Sequence, residues 1–282
     1  MLITGPHNDI IKQIIALKQK KNRDEQGLFI VEGQKQVSEI PKDWKIKYTV
    51  TTENDKKRKD NGNIDSASER YRSHGMTSNI QVYEVSKQLF KKISGTETPQ
   101  GILAVVEKKK YDIEKTLNLK GIFIVCDNLQ DPGNVGTIIR TAEAFSCKGI
   151  FLSKNSADVY GDKVVRATMG AIFNIPLFQE CDIVQLIKTF KEKNIRTCAL
   201  ALDGSKNLQE LKLNSDSAAI IVGNEAKGIS PEVLNITDDK IKIEMTGKAE
   251  SLNAAIATAI AIYNLQLTTT TNREIPDRNI RE

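Results

Sequence analysis

Three stretches of the chain place polar residues where they could act on a ligand. In the first, the apolar run Ile122 to Cys126 ends at Asp127, and Pro132 and Gly133 turn the chain into a helix that begins near Asn134. Arg140 then falls about two turns into that helix, among Val135, Ile138, Ile139, Ala142 and Phe145. A lone arginine on an apolar helix is ordinarily a surface charge or an ion-pair partner. It is also a fixed cation with several donors, suited to stabilising developing negative charge. The second stretch, Val222 to Pro231, follows another apolar run and carries Gly223, Asn224, Glu225 and Gly228. Its glycines permit close backbone approach, and Ser230 and Pro231 suit the cap and first turn of a helix. The third, Ile241 to Asn253, holds Met245, Ser251 and Asn253 just before an alanine- and isoleucine-rich segment, where Ser251 fits a helix cap. Each stretch alone also reads as an ordinary turn.

Other chemistries lack their residues. No histidine follows His74, and Cys126, Cys147, Cys181 and Cys198 form no CxxC pair. No metal site and no histidine base are expected in the later part of the chain. The first glycine turn is neither GxGxxG nor GxxxxGK[ST], so a nucleotide-dependent oxidoreductase or phosphotransferase is disfavoured.

The surrounding pattern is α/β. In the first third, Asn8 suits the cap of a helix carrying Ile10, Ile11, Ile14, Ile15 and Leu17. Strands are expected over 28–31, 48–51, 80–85 and 101–106, with a polar loop over 53–63 and a helix from Asp65 to Tyr71. A charged run, 107–120, reads as a linker. Beyond it, apolar strands over 122–126, 149–152, 197–202, 218–222 and 241–245 alternate with helices, the signature of a parallel sheet covered on both faces. The last helix is expected over 251–267. The tail 268–282 begins with four threonines and is expected to be disordered.

The chain has 282 residues and a net charge of +5. Residues 1–106 carry all of that charge, with 18 Lys and Arg against 13 Asp and Glu, while 107–282 hold 23 of each. A basic first third beside a neutral remainder suits a polyanionic partner, although a solvated lysine-rich surface gives the same count. No apolar run reaches the roughly 18 residues of a membrane span. The start lacks the order of a signal peptide, so a cytoplasmic protein with no membrane partner is expected.

Taken together, in this order and spacing, the three loops resemble the motifs of the SpoU (TrmH-like) branch of the SPOUT RNA methyltransferases. Asp131 to Gly136 with Arg140, Thr141 and Ala142 match the first motif. Gly223, Asn224, Glu225 and Gly228 match the second, and Met245 with Ser251, Leu252 and Asn253 the third. Lys163 to Ala171 is also similar to the family, and the likeness covers about 121–267. The family commonly has proline where Glu244 stands here. Leu17 to Gly33 and Ser94 to Gly101 are similar to the small α/β substrate-binding domain that often precedes this catalytic domain.

The resemblance implies a division into a substrate-binding domain over 1–106, the linker, and a methyltransferase domain over 121–267. It implies a parallel sheet ending in a trefoil knot, which periodicity does not reveal. It also implies S-adenosylmethionine as cofactor, held by Val222, Gly223, Asn224, Gly228, Ile243, Met245 and Leu252, with no metal. Transfer to a ribose 2′-hydroxyl of RNA would then rest on Arg140, with Asn134, Glu225, Ser251 and Asn253 in support. Arg140 would orient the hydroxyl and stabilise alkoxide charge, with literal base action left open. Glu225 would hold Arg140 or the substrate. Lys20, Lys21, Arg23 and Arg166 are the expected RNA contacts. A homodimer is implied, and ribosomal RNA is favoured over transfer RNA. A non-catalytic RNA-binding protein of the same fold is the alternative.

Overall fold

The computed structural model describes residues 2–52, 80–211 and 215–270. The expected polar loop over 53–63, the helix from Asp65 to Tyr71 and the tail beyond 270 lie outside the described residues. Two compact units emerge. One comprises residues 1–110 and 158–173, the other 111–157 and 174–282.

Among the described residues, the first unit has five strands: β1 (Leu2–Ile3), β2 (Leu28–Glu32), β3 (Ile46–Thr52), β4 (Gln81–Val85) and β5 (Ile102–Glu107), in the order β1-β4-β3-β5-β2. β5 runs antiparallel to both of its neighbours. Among the described residues, its N-terminal part carries four helices: α1 (Asp9–Ala16), α2 (Lys20–Gln26), α3 (Gln34–Ser38) and α4 (Lys87–Ile93). Asn8 caps α1 as its sequence suggests, its Oδ1 accepting from the N–H of Ile10 at 2.9 Å. The basic helix α2 ends at Gly27, whose φ of 64° lies in the left-handed region that glycine enters without penalty. Ile11, Ile14, Leu17, Val50, Phe90 and Leu103 form much of the core on the α1 side of the sheet.

In the second unit, β6 (Ile122–Cys126), β7 (Gly149–Ser153), β8 (Leu177–Cys181), β9 (Arg196–Leu200), β10 (Lys206–Asn207), β11 (Ala218–Val222) and β12 (Asp239–Lys242) form one sheet. Their order is β10-β12-β9-β11-β6-β7-β8, and every pairing is parallel. β6 and β11 lie side by side at the centre, and every residue of both is buried. Five helices accompany the sheet: α5 (Ile113–Leu117), α6 (Pro132–Ala144), α8 (Ile183–Glu192), α9 (Pro231–Ile236) and α10 (Ala254–Thr270). Phe123, Phe151, Ile187, Phe190 and Ile221 fill the core on one side. Among the described residues, no helix is long and apolar enough to cross a membrane.

Helix α7 (Asp162–Thr168) departs from the division suggested by the sequence. Residues 158–173, expected inside the 121–267 domain, group with the first unit. Trp44 packs edge-on against Phe173 at 5.0 Å, and its indole N–H donates to the Phe173 carbonyl at 3.0 Å. Phe29 meets Tyr160 at 4.8 Å. Arg23 completes this attachment. It is only 6% exposed, pairs with Asp158, and donates to the carbonyls of Leu17 and Lys18 at 2.7 and 2.8 Å. Its charge therefore faces inward, and Arg23 is removed from the expected RNA contacts.

Several boundaries also move. The stretch 107–120 contains the end of β5 and all of α5 rather than an open linker. β12 ends at Lys242, three residues short of the expected Met245, and β9 ends at Leu200. α10 begins at Ala254, because Asn253 supplies the cap through Oδ1, which accepts from Ala255 and Ile256 at 2.9 and 3.3 Å. Ser251 is exposed and outside the helix, so the capping role passes to Asn253. Helix α10 also continues through Thr270, past the expected start of the tail.

Candidate active site

Strand order fixes the position of the site. From β6 the chain moves outward through β7 and β8, then returns to the opposite side of β6 to form β9 and β11. The carboxyl ends of β6 and β11 therefore flank the switch point, where an open parallel sheet leaves a crevice for ligands. Asp127 and Gly223 directly follow those two ends.

Buried polar contacts join the loops at this point. Asp127 is 3% exposed; its carboxylate accepts from the Ser230 N–H at 2.7 Å and the Asn128 side chain at 2.8 Å. Asn224 donates through Nδ2 to the Asn128 carbonyl at 2.9 Å, and its Oδ1 receives the N–H groups of Ala226 and Lys227 at 3.0 Å each. The Asn224 and Gly228 backbones exchange hydrogen bonds, closing the loop on itself. Gly223 has a steric reason to be glycine. A Cβ there would lie 2.2 Å from the Gly228 carbonyl carbon and the Ile229 nitrogen.

Asn134, Glu225 and Asn253 come from the three separate loops and meet in one relay. Asp131 caps α6 through the N–H of Asn134 at 2.7 Å, and Pro132 occupies the first helical turn. Asn134 Nδ2 donates to Glu225 Oε1 at 2.9 Å, while Asn134 Oδ1 accepts from Asn253 Nδ2 at 2.8 Å. The Asp131 N–H also reaches Glu225 Oε1, at 3.1 Å, and the Gln130 N–H reaches Oε2 at 3.4 Å. Burial pushes the Glu225 carboxyl up, but these donors outweigh it and hold the pKa below its ordinary value.

Arg140 stands apart from the relay. It is exposed on α6 and has no hydrogen bond or ion pair among the described residues. Of the two roles expected of Glu225, holding Arg140 or the substrate, the first is not seen: the carboxylate accepts from Asn134 and the backbone of Gln130 and Asp131. Ser251 is likewise exposed, and its side chain makes no hydrogen bond among the described residues. Beneath the loops lies Cys126. Burial pushes its thiol up to about 12, with the Glu225 and Asp127 charges adding to the shift, so it is a core side chain and no nucleophile. Among the described residues, no group of three His, Cys, Asp or Glu is arranged to hold a metal ion.

The expected cofactor residues border the same end of the sheet. Val222 and Gly223 are buried at the end of β11; Ile243, Met245 and Leu252 are half-buried after β12. Between them, residues 244–252 make no backbone–backbone hydrogen bond among the described residues and are largely exposed. A segment with open N–H and C=O groups beside half-buried apolar side chains fits a ligand combining a flat apolar ring with many polar edges, such as an adenosine.

The sequence reading missed Gly204 and Leu202. The connection from β9 to β10 crosses β12: Leu200 and Lys206 are both opposite Ile241, on its two sides. A Cβ on Gly204 would lie 2.5 Å from the Ile241 carbonyl carbon and 2.6 Å from the Lys242 nitrogen. Leu202, at the edge of this crossing, is 68% exposed. The signal was Leu-Asp-Gly directly after an apolar strand. Of the expected RNA contacts, Lys21 is exposed on α2, and Lys20 is half-buried. Arg166 belongs to the first unit and pairs with Asp162 at 3.3 Å.

Comparisons with known proteins agree with this geometry. Residues 121–263 match the model of the SpoU rRNA Methylase family, and residues 8–104 match the MRM3-like substrate binding domain. A 23S rRNA (guanosine(2553)-2′-O)-methyltransferase, RlmP of Bacillus subtilis (strain 168), is 32% identical over 264 residues, covering 94% of this chain and 98% of the relative. An AdoMet-bound rRNA methyltransferase from Sinorhizobium meliloti is 28% identical, with a TM-score of 0.76 over 95% of this chain and 97% of its own. The AviRb methyltransferase of Streptomyces viridochromogenes, at 22% identity, shares the fold with a TM-score of 0.81 over 95% of this chain and all of its own. The loops, the sheet that carries them and these likenesses make this chain a member of the SpoU rRNA methylase family of RNA methyltransferases.

Proposed function

We propose that this chain transfers the methyl group of S-adenosylmethionine to a ribose 2′-hydroxyl in ribosomal RNA. The observation that carries the reading is the convergence of Asn134, Glu225 and Asn253 from three loops at the switch point of the sheet. The named activity of the Bacillus subtilis relative, covered over almost its whole length, supports ribosomal RNA over transfer RNA.

When bound, S-adenosylmethionine supplies an electrophilic methyl group. Val222, Gly223, Asn224 and Gly228 would hold it on one side, and Ile243, Met245 and Leu252 on the other. Asn134, Glu225 and Asn253 fix the three loops to one another, which sets the position of the acceptor oxygen; positioning of this kind supplies much of the rate in a simple transfer. Arg140 orients the hydroxyl and stabilises the charge that develops on its oxygen, a role suited to a permanent cation with no partner among the described residues. Ser251, free on the loop before α10, would donate near the transferred group.

The finer shape of the second unit follows the same reading. The five residues 201–205 pass across β12, and Gly204 abuts the Ile241–Lys242 backbone. We read this crossing as the loop of a trefoil knot, through which the last strand is threaded. A homodimer is proposed as well. Ile256, Ile260 and Tyr263 are 50%, 39% and 55% exposed, and their spacing sets them on one face of α10. A second copy would cover that face.

Transfer of tritium from methyl-labelled S-adenosylmethionine tests the reading, with ribosomal and transfer RNA from cells lacking the gene as substrates. Label recovered as a 2′-O-methylnucleoside of ribosomal RNA is the expected result. Label in transfer RNA would move the target, and no cofactor binding at all would leave a non-catalytic RNA-binding protein.

A further inference from the structure

The two stretches that resemble a substrate-binding domain, Leu17 to Gly33 and Ser94 to Gly101, form one construction. Glu32, 8% exposed at the end of β2, turns its carboxylate onto the second stretch. It accepts from Ser94 Oγ at 2.5 Å, the Gly95 N–H at 2.8 Å and Thr96 Oγ1 at 2.9 Å. Lys18 Nζ donates to the carbonyls of Lys92 and Ser94 at 3.2 and 2.9 Å. At the far end, Gln100 Oε1 accepts from the Gln34 N–H at 2.8 Å. Burying a carboxylate is costly unless its hydrogen bonds are met. Here those bonds hold a loop whose residues Gly95, Glu97, Thr98 and Gln100 are exposed. A buried anchor that fixes an exposed loop contributes little packing and presents a defined surface.

Arg166 of α7 stands beside that loop. A Cβ on Gly95 would lie 2.7 Å from Asp162 Oδ2 and 3.2 Å from Arg166 Nη1. Asp162 in turn holds Arg166 Nη1 at 3.3 Å, which orients the guanidinium, and its other donors have no partner among the described residues. Lys163 is exposed on the same helix, and its side chain has no partner among the described residues.

We propose that the Gly95–Gln100 loop and the Lys163–Arg166 stretch of α7 together form an RNA-contact surface of the first unit, with Arg166 and Lys163 on backbone phosphates. It extends the substrate-binding surface beyond residues 8–104 to a helix that lies, by sequence, within the methylase region. This rests on the reading of the chain as an RNA-modifying enzyme. Phosphate is the matching chemistry, because a guanidinium oriented by one carboxylate keeps a free edge for bidentate contact.

The test uses the full chain and a transcript of 23S ribosomal RNA, with filter binding across a salt series and tritium transfer in parallel. Arg166→Ala and Lys163→Glu are each expected to weaken RNA binding at least tenfold and to flatten the salt dependence. The loss of slope should be about one unit for each phosphate contact removed. Binding of S-adenosylmethionine should be unchanged. Gly95→Ala, which displaces the Asp162 carboxylate, is expected to weaken RNA binding in the same direction. Lys163→Glu removes no internal contact, so it stands even if Arg166→Ala fails to fold. RNA affinity within twofold of the parent in Lys163→Glu and in folded Arg166→Ala would overturn the proposal, as would a parent chain that binds no 23S transcript. A parent that binds RNA through these residues yet binds no S-adenosylmethionine and transfers no label would keep the surface and sink the enzyme reading.

Discussion

The side-chain amide of Asn253 donates to Asn134 Oδ1 at 2.8 Å, joining the start of α10 to the first turn of α6 across 119 residues of sequence. The direction of this bond is set at its other end. A carboxylate only accepts, so Asn134 turns its Nδ2 to Glu225, and its Oδ1 faces Asn253. Asn253 then turns its remaining oxygen to the α10 N-terminus. One amide thus fixes the relation between two helices and the loop after β11.

Asn134→Ala should break this relay. The expected loss is about 0.5–1.5 kcal/mol of stability, the net scale of a hydrogen bond, because Glu225 and Asn253 are exposed and can turn to water. Methyl transfer should fall by more than the folded fraction does. Chemical unfolding alongside a transfer assay checks both. Asn134→Asp should be no better, because it sets a second carboxylate against Glu225.

Acid should reveal the same contact. The Glu225 carboxyl lies below its ordinary value because its donors outweigh the cost of burial. A depressed group adds stability above its unfolded-state pKa and loses it as pH falls through the folded-state pKa. This contribution should persist at neutral pH and vanish only below the ordinary carboxylate range. Circular dichroism during acid titration should place the Asn134→Ala midpoint at higher pH than the parent; coincident midpoints would remove Asn134 as the stabilising donor.

Arg140→Ala should separate chemistry from structure. The side chain has no partner among the described residues, so the melting temperature should hardly move. Transfer should fall by about 10²-fold or more, the scale of one lost charge-stabilising donor. Cofactor binding measured by calorimetry should stay within twofold. Arg140→Lys should recover little, because an ammonium lacks the planar fork.

Gly204→Ala should damage the crossing over β12. Its Cβ would meet backbone at 2.5 Å, where no side-chain rearrangement gives relief. The cost should be at least about 1–3 kcal/mol, as for overpacked interiors. Cofactor affinity should fall together with stability, read by thermal unfolding with and without S-adenosylmethionine. Asp239→Ala acts nearby. It removes a buried carboxylate that accepts from Arg196 Nε at 2.5 Å and also pairs with Lys206. About 2 kcal/mol should be lost, the scale of hydrogen bonds to a charged group.

Central strands and caps were legible in the sequence because their causes are local. β6 and β11 coincide with apolar runs bounded by turns, and Asn8 caps the helix it precedes. β8 was missed because it is an edge strand, only one of whose five residues is buried, and Glu180 in it has a φ of 58°. Ser251 looked like the cap of the last helix, and Asn253 took that place because its other atoms are held by Asn134. Arg23 sits in a row of basic residues and reads as surface charge; its partner Asp158 is 135 residues away. No local pattern reports such a pairing. The same holds for Trp44 and Phe173, whose contact draws residues 158–173 into the first unit.

That attachment bears on how such proteins diversify. The chain passes between its units three times, near residues 110, 157 and 173. Exchanging residues 1–110 for the matching part of a relative would set a foreign Phe29 and Trp44 against this chain's own Tyr160 and Phe173. A graft that travels with its 158–173 counterpart keeps those seams native. A single crossover near residue 110 separates the two pieces, and one near residue 173 carries 111–157 of the second unit along with them, so no single junction exchanges the first unit alone.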